Sequence, residues 1–250
     1  MATQLKTQKE IALMREAGRI VAVTLQELRE NVRPGVSTAA LDAIAERTVL
    51  ALGALPAFKG YNGFPASTCL SLNDEIVHGI PNPARVLEEG DVLSIDFGAI
   101  YQGYYGDSAT TIGVGEISSE AKKLLAATEA ALYEGIKRAR AGNHLGEVSN
   151  AIQTHAEKEG FSVVRQYVGH GIGRHMHEEP QVPNFGPRNK GAILKAGMVL
   201  AIEPMLNTGT ENTVLRPDNW TVVTADGGLS AHFEHTVAIT PGDPEILTRL

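Results

Sequence analysis

A chain of 250 residues with a net charge of −7, 43% hydrophobic and 20% charged, has the makeup of an ordinary globular protein. The acidic balance argues against a nucleic-acid binder, which would carry a basic patch. One cysteine, Cys69, excludes an intrachain disulfide and fits a reducing compartment. No run approaches the roughly 18 apolar residues of a membrane span, and the polar start M-A-T-Q-L-K-T-Q-K-E has no signal-peptide core. The expectation is a cytoplasmic protein.

Thr7-Gln8-Lys9-Glu10 has the pattern of a capping box. Behind it Ile11, Met14, Ala17, Ile20, Leu25 and Leu28 recur at helical spacing and predict an amphipathic helix over 8–30. Pro34-Gly35 ends it, and Ser37 or Thr38 can cap a second helix running to about Leu52-Gly53. Residues 54–85 are dense in glycine and proline and read as loops of the kind that line binding sites. A strand is predicted around 91–100, a turn at Tyr101-Gln102-Gly103, and a returning strand through 107–111. Further helices follow over about 119–140, capped by Ser118, and 144–159.

The second half repeats the first. L-E-E-G-D-V-L-S-I-D (87–96) and L-K-A-G-M-V-L-A-I-E (194–203) place Gly90 against Gly197 and Asp96 against Glu203 at an offset of 107. Gly35 and Gly142, and Gly53 and Gly160, keep the same offset of 107. The copies are too long for a solenoid. They predict an α+β, pseudo-two-fold domain with helices on one side of a curved, mostly antiparallel sheet. A single domain over 1–250 is expected, in halves of about 1–115 and 116–250, with the site between the halves.

Acids in matching positions on strands suited to burial need a partner, because an unpaired buried charge is costly. Asp96, Asp107, His170, Glu203 and Glu234 are the candidate metal ligands. Asp96 and Asp107 flank a hairpin-like turn, and glycines let the backbone pack around His170 in V-G-H-G-I-G. Four carboxylates and an imidazole suit Mn²⁺, Fe²⁺, Co²⁺ or Zn²⁺. Their charge balances two divalent ions better than one. Taken singly, each acid is as readily a turn cap or a solvated side chain, and His170 a satisfied core histidine.

H-G-I-P (78–81), S-I-D-F-G (94–98), G-D-S-A-T-T (106–111), G-H-G-I-G (169–173), H-E-E-P (177–180), I-E-P-M (202–205) and E-H-T-V (234–237) together resemble the type 1 methionine aminopeptidases along essentially the whole chain. The resemblance implies the pita-bread fold and two divalent ions held by the five residues, with those matching Asp107 and Glu234 bridging. It also implies His78, His177 and Glu203 as catalytic groups. The substrate pocket it implies is lined by Tyr61, Phe64, Cys69, Met176 and Trp220, with His78 and His177 also touching the peptide. Met176 stands where the family commonly has an aromatic, which is expected to loosen the pocket. His175, where the family generally has a small residue, reads as a rim imidazole, although alternation alone does not separate it from His177. His144, His155, His232 and His235 read as structural or surface residues, and Cys69 as a pocket wall with no base tied to it.

The implied activity is hydrolytic removal of N-terminal methionine from nascent polypeptides when the second residue is small, by a monomer in transient association with the ribosome. The chain's own Met1-Ala2 start fits such a rule. An X-Pro aminopeptidase or prolidase is the alternative on the same fold, disfavoured by the short stretch before Pro34-Gly35. A type 2 enzyme is disfavoured by the short spacing of 26 between His177 and Glu203, and a metal-free binding relative by the intact ligand set.

Overall fold

The computed structural model describes residues 3–250, so the Met1-Ala2 pair lies outside it. Helix α1 (Gln8–Asn31) starts at the expected capping box: Thr7 Oγ1 accepts from Glu10 N at 3.3 Å, and the Glu10 carboxylate accepts from Thr7 N at 2.8 Å. Helix α2 (Thr38–Ala51) is capped by Ser37. The first half continues with β1 (Leu55–Pro56), β2 (Thr68–Leu72), β3 (Glu75–Val77), β4 (Val92–Tyr101) and β5 (Tyr104–Gly113). The second half opens with α3 (Ser119–Arg138) and α4 (Leu145–Glu159). Its strands are β6 (Ser162–Val163), β7 (Gly169–Gly171), β8 (Glu178–Val182), β9 (Val199–Ile202), β10 (Met205–Asn207), β11 (Thr213–Leu215), β12 (Val222–Thr224), β13 (Ser230–His232), β14 (His235–Ala238) and β15 (Glu245–Ile246). The loop-rich reading of 54–85 is corrected: β1, β2 and β3 lie within it. Their partners, β4 and β12, are distant in sequence, so no local period announces them.

All strand pairs are antiparallel. β4 takes β5 on one side and β1 and β2 on the other, and in the second half a five-stranded sheet runs β15-β14-β9-β7-β8. Against the first sheet α1 and α2 bury Ile20, Leu28, Leu41 and Val49 over Leu93, Ile95 and Phe97. Against the second, α3 and α4 bury Leu124, Leu132, Val148 and Ile152 over Leu200, Ile202 and Val237. At about 25 cal/mol per Å² of apolar surface, these two helix-on-sheet layers are the main favourable term of folding. Among the described residues no helix is long and apolar enough to cross a membrane.

The duplication is visible in the backbone. Gly90 and Gly197 both adopt the left-handed region, at φ 95° and 94°, so both copies enter their central strand through the same turn. The bridge Ser37↔Val86 has its counterpart in His144↔Ile193. Symmetry ends after the central strands. Asp96 and Asp107 are 11 residues apart, whereas Glu203 and Glu234 are 31 apart, and the longer stretch of the second half includes β11, β12 and the turn between them.

The halves are joined behind the site. Glu234 N donates to Ala109 O at 2.9 Å, and Thr236 Oγ1 donates to Asp107 O at 2.7 Å. The C-terminal segment crosses α1 at Gly18, where an added Cβ would lie 2.3 Å from Leu247 O. Gly106 meets the same helix from β5. Gly18→Ala is therefore expected to destabilise the fold by about 1–3 kcal/mol, since a rigid carbonyl has to move. A denaturant midpoint equal to that of the parent chain would show that the C-terminal segment does not pack as tightly as drawn.

Candidate active site

The candidate donors come from the strands of both halves and the breaks between them. Asp96 and Asp107 face each other across the β4–β5 hairpin, with Asp96 opposite Ala109 and Asp107 opposite Gly98. His170 lies on β7, Glu203 follows the last residue of β9, and Glu234 occupies the break between β13 and β14. The strand path is thus interrupted at Phe233-Glu234, and the interruption lets the Glu234 backbone reach β5.

Asp96, Asp107, His170, Glu203 and Glu234 line one cavity of about 220 Å³ together with His78, His177, Tyr61, Phe64, Cys69, Met176 and Trp220. Phe58 and Asn62 also line it and had not been read from the sequence. Phe58 carried no signal beyond its apolarity. Asn62, in the glycine-rich G-Y-N-G turn at φ 49°, carried one as a residue suited to left-handed backbone. A larger cleft of about 540 Å³ shares Tyr61, His170, Met176 and His177 with this cavity and continues past Gln4, Tyr105 and Gln181. His175 is exposed and lines only that outer cleft, which separates it from His177.

Burial dominates the electrostatics. It pushes the Asp107 carboxyl up to about 7, and it raises Asp96, Glu203 and Glu234 well above the usual carboxylate range, with neighbouring carboxylates adding to the shift. Burial, then the neighbouring His177, lowers His78 to about 4 and His170 to about 3. Burial lowers His177 as well, so all three imidazoles are neutral near pH 7. Among the described residues no lysine or arginine lines the cavity to offset four carboxylates.

The donor set fits divalent metal. Asp96 Oδ1, Asp107 Oδ1 and Glu234 Oε1 are buried without a hydrogen-bond partner, an arrangement that is costly unless a cation satisfies them. Ligand atoms of Asp107, His170 and Glu234 lie within 4.8 Å of one another. His170 Nδ1 is 2.8 Å from Gly171 O; donation to that carbonyl leaves the Nε2 lone pair facing the acids, 3.6 Å from Glu203 Oε1.

The remaining groups shape what reaches the acids. His78 has φ 60°, a left-handed conformation of the kind held at functional sites. It is pinned through Gly79, whose N–H donates to Ser71 Oγ at 3.0 Å and whose carbonyl accepts from Leu70 N at 2.8 Å. Trp220 stands edge-on to Phe64 with centroids 5.1 Å apart, and to His78 at 6.3 Å. Its turn is tied by Asp218, which accepts from Trp220 N and Thr221 N at 2.9 and 2.8 Å. The His177 ring lies 4.3 Å from that of His170, and its Nδ1 is 2.7 Å from Tyr61 OH. Burial and nearby acids push the Cys69 thiol well up, so it carries no thiolate.

Two histidines read as structural or surface residues are placed differently. His235 is tied to Thr248 Oγ1 at 2.9 Å on the side away from the cavity, a structural role. His232 is 2% exposed, with Nε2 3.8 Å from Glu203 Oε2, and so belongs to the site's surroundings. The signal available was alternation, since His232 precedes Glu234 by two residues on a strand-like run.

The model of metallopeptidase family M24 matches residues 12–241. Methionine aminopeptidase 1 of Bacillus subtilis is 58% identical over 245 residues, covering 98% of both chains. The crystal structure of methionine aminopeptidase from Thermotoga maritima superposes with a TM-score of 0.98 at 46% identity, covering all of both chains. The prolidase from Pyrococcus horikoshii shares the fold alone, with a TM-score of 0.79 and 24% identity, and this chain covers 63% of its length. With these matches spanning the residues that build the cavity, the chain belongs to metallopeptidase family M24 and, within it, to the methionine aminopeptidases.

Proposed function

We propose that the chain removes the N-terminal methionine of polypeptides whose second residue is small, using two divalent ions held by Asp96, Asp107, His170, Glu203 and Glu234. The observation that carries this is one cavity in which five hard donors meet an apolar pocket made by Tyr61, Phe64, Cys69, Met176 and Trp220. An unbranched thioether packs well against aromatic and sulfur-bearing walls. Neutral His78 and His177 sit at the junction between pocket and donors. The outer cleft supports an exit for the rest of the polypeptide. We take residues 1–250 as one catalytic domain, and Mn²⁺, Fe²⁺, Co²⁺ and Zn²⁺ all suit the donors.

When bound, divalent ions supply Lewis acidity toward the scissile carbonyl and acidify the attacking water. Glu203 accepts the proton of that water. Tyr61, donating to His177 Nδ1, leaves the proton of that imidazole on Nε2, where it can donate to the developing oxyanion. His78 supports the departing amide nitrogen. A free α-amino group held beside the donors would register the cut after the first residue, whose side chain enters the adjoining cavity of about 220 Å³.

Metal-stripped protein is expected to lose stability as pH rises from 6.5 to about 8.5. The raised carboxyls hold protons in the folded chain that the unfolded chain has already released. Their contribution is complete below their ordinary values and is lost through about 7 and above. The lowered histidines act oppositely, but only below their ordinary value of 6.5. Each carboxyl contributes up to about 1.4 kcal/mol per pH unit. Thermal melts with and without saturating Mn²⁺ check this, and a pH-independent midpoint in the stripped protein would count against the buried acids.

Metal-loaded protein is expected to release Met from Met-Ala-Ser, and not the first residue of Met-Lys-Ser, Leu-Ala-Ser or Ala-Pro. Glu203→Gln is expected to lower kcat by about 10²–10⁴-fold, the usual worth of a general base. Release from Ala-Pro instead would move the chain to X-Pro chemistry.

A further inference from the structure

We infer that His232 is a positioning residue for Glu203, its Nε2–H donating to the carboxylate and fixing which oxygen faces the reacting water. The inference rests on the proposed role of Glu203 as proton acceptor. Two imidazoles flank that carboxylate: His170 Nε2 is 3.6 Å from Oε1, and His232 Nε2 is 3.8 Å from Oε2. His170 commits its proton to Gly171 O, so its Nε2 offers a lone pair. His232 is therefore the flanking imidazole able to donate.

His232 is 2% exposed, and its Nε2 is buried without a hydrogen-bond partner. A buried ring nitrogen left without a partner is costly, and Glu203 is the carboxylate within reach. Contacts of this kind are often long in the unliganded site and tighten with substrate. The backbone holds the ring on station. His232 N donates to Thr111 Oγ1 at 2.8 Å, Thr111 Oγ1 donates to His232 O at 2.7 Å, and Thr111 Oγ1 lies 2.8 Å from Ser94 Oγ. Register with Met205 fixes the opposite side of β13, two residues beyond Glu203.

Three variants and one spectrum test this. His232→Phe keeps the ring volume and removes the donor, His232→Leu does so with a different shape, and His232→Gln restores a neutral N–H donor. On Met-Ala-Ser, with Mn²⁺ affinity measured by calorimetry, the Phe and Leu variants are expected to lose about 10–100-fold in kcat. KM and Mn²⁺ affinity should hold, and His232→Gln should recover most of the loss. In the Zn²⁺-loaded parent protein, long-range ¹H–¹⁵N correlation should find the His232 proton on Nε2, a readout that no variant's folding affects. Parent-like kcat in His232→Phe, a Gln variant as impaired as Phe, or an unprotonated Nε2 would each overturn the inference. A parent protein that binds Mn²⁺ but releases no Met would instead overturn the proposed activity and the part of the inference that concerns catalysis, while the spectrum would still decide the hydrogen bond.

Discussion

Four carboxylates share a cavity that no lysine or arginine enters among the described residues, and the rest of the fold follows from what that demands. Isolated buried anions are too costly to keep ionised. They must hold protons or surround cations, and the raised carboxyl values and partnerless oxygens of Asp96, Asp107 and Glu234 express the first state while being shaped for the second. Rigid walls are required, because a carboxylate free to swing out would relieve the strain in water. Extended, paired strands, the cross-links between β5 and β14, and two helix layers behind the sheets supply that rigidity.

The repeated halves meet this demand economically. Each provides a turn at a left-handed glycine, Gly90 or Gly197, then a buried strand that leads to an acid, Asp96 or Glu203, and later a second acid. Neither half holds enough donors by itself. The ion would therefore stabilise the union of the halves, which makes its affinity part of the stability of the fold.

Much of this was legible in the chain. Thr7–Glu10 and Ser118 mark helix starts whose caps appear in the structure, and apolar spacing located the faces buried against the sheets. The offset of 107 exposed the duplication and paired Asp96 with Glu203. Strands β2 and β3 were not legible, since their order comes from pairing with β4 and β12, far away in sequence. Nor could alternation alone separate His177 from His175, because the facing of each depends on how a loop sits over the cleft. The roles of Tyr61, Phe64, Met176 and Trp220 came from family resemblance. Apolar side chains carry no spacing rule that distinguishes a pocket wall from core.

The asymmetry between the halves has an evolutionary reading. Trp220 belongs to the stretch of the second half that has no counterpart in the first, tethered by its own Asp218 turn. The duplicated frame thus carries the candidate donors, while the stretch without a counterpart furnishes part of the cavity wall. Sequence drift in that stretch can alter which residue is recognised without disturbing any donor, so selectivity and reactivity are free to diverge at different speeds.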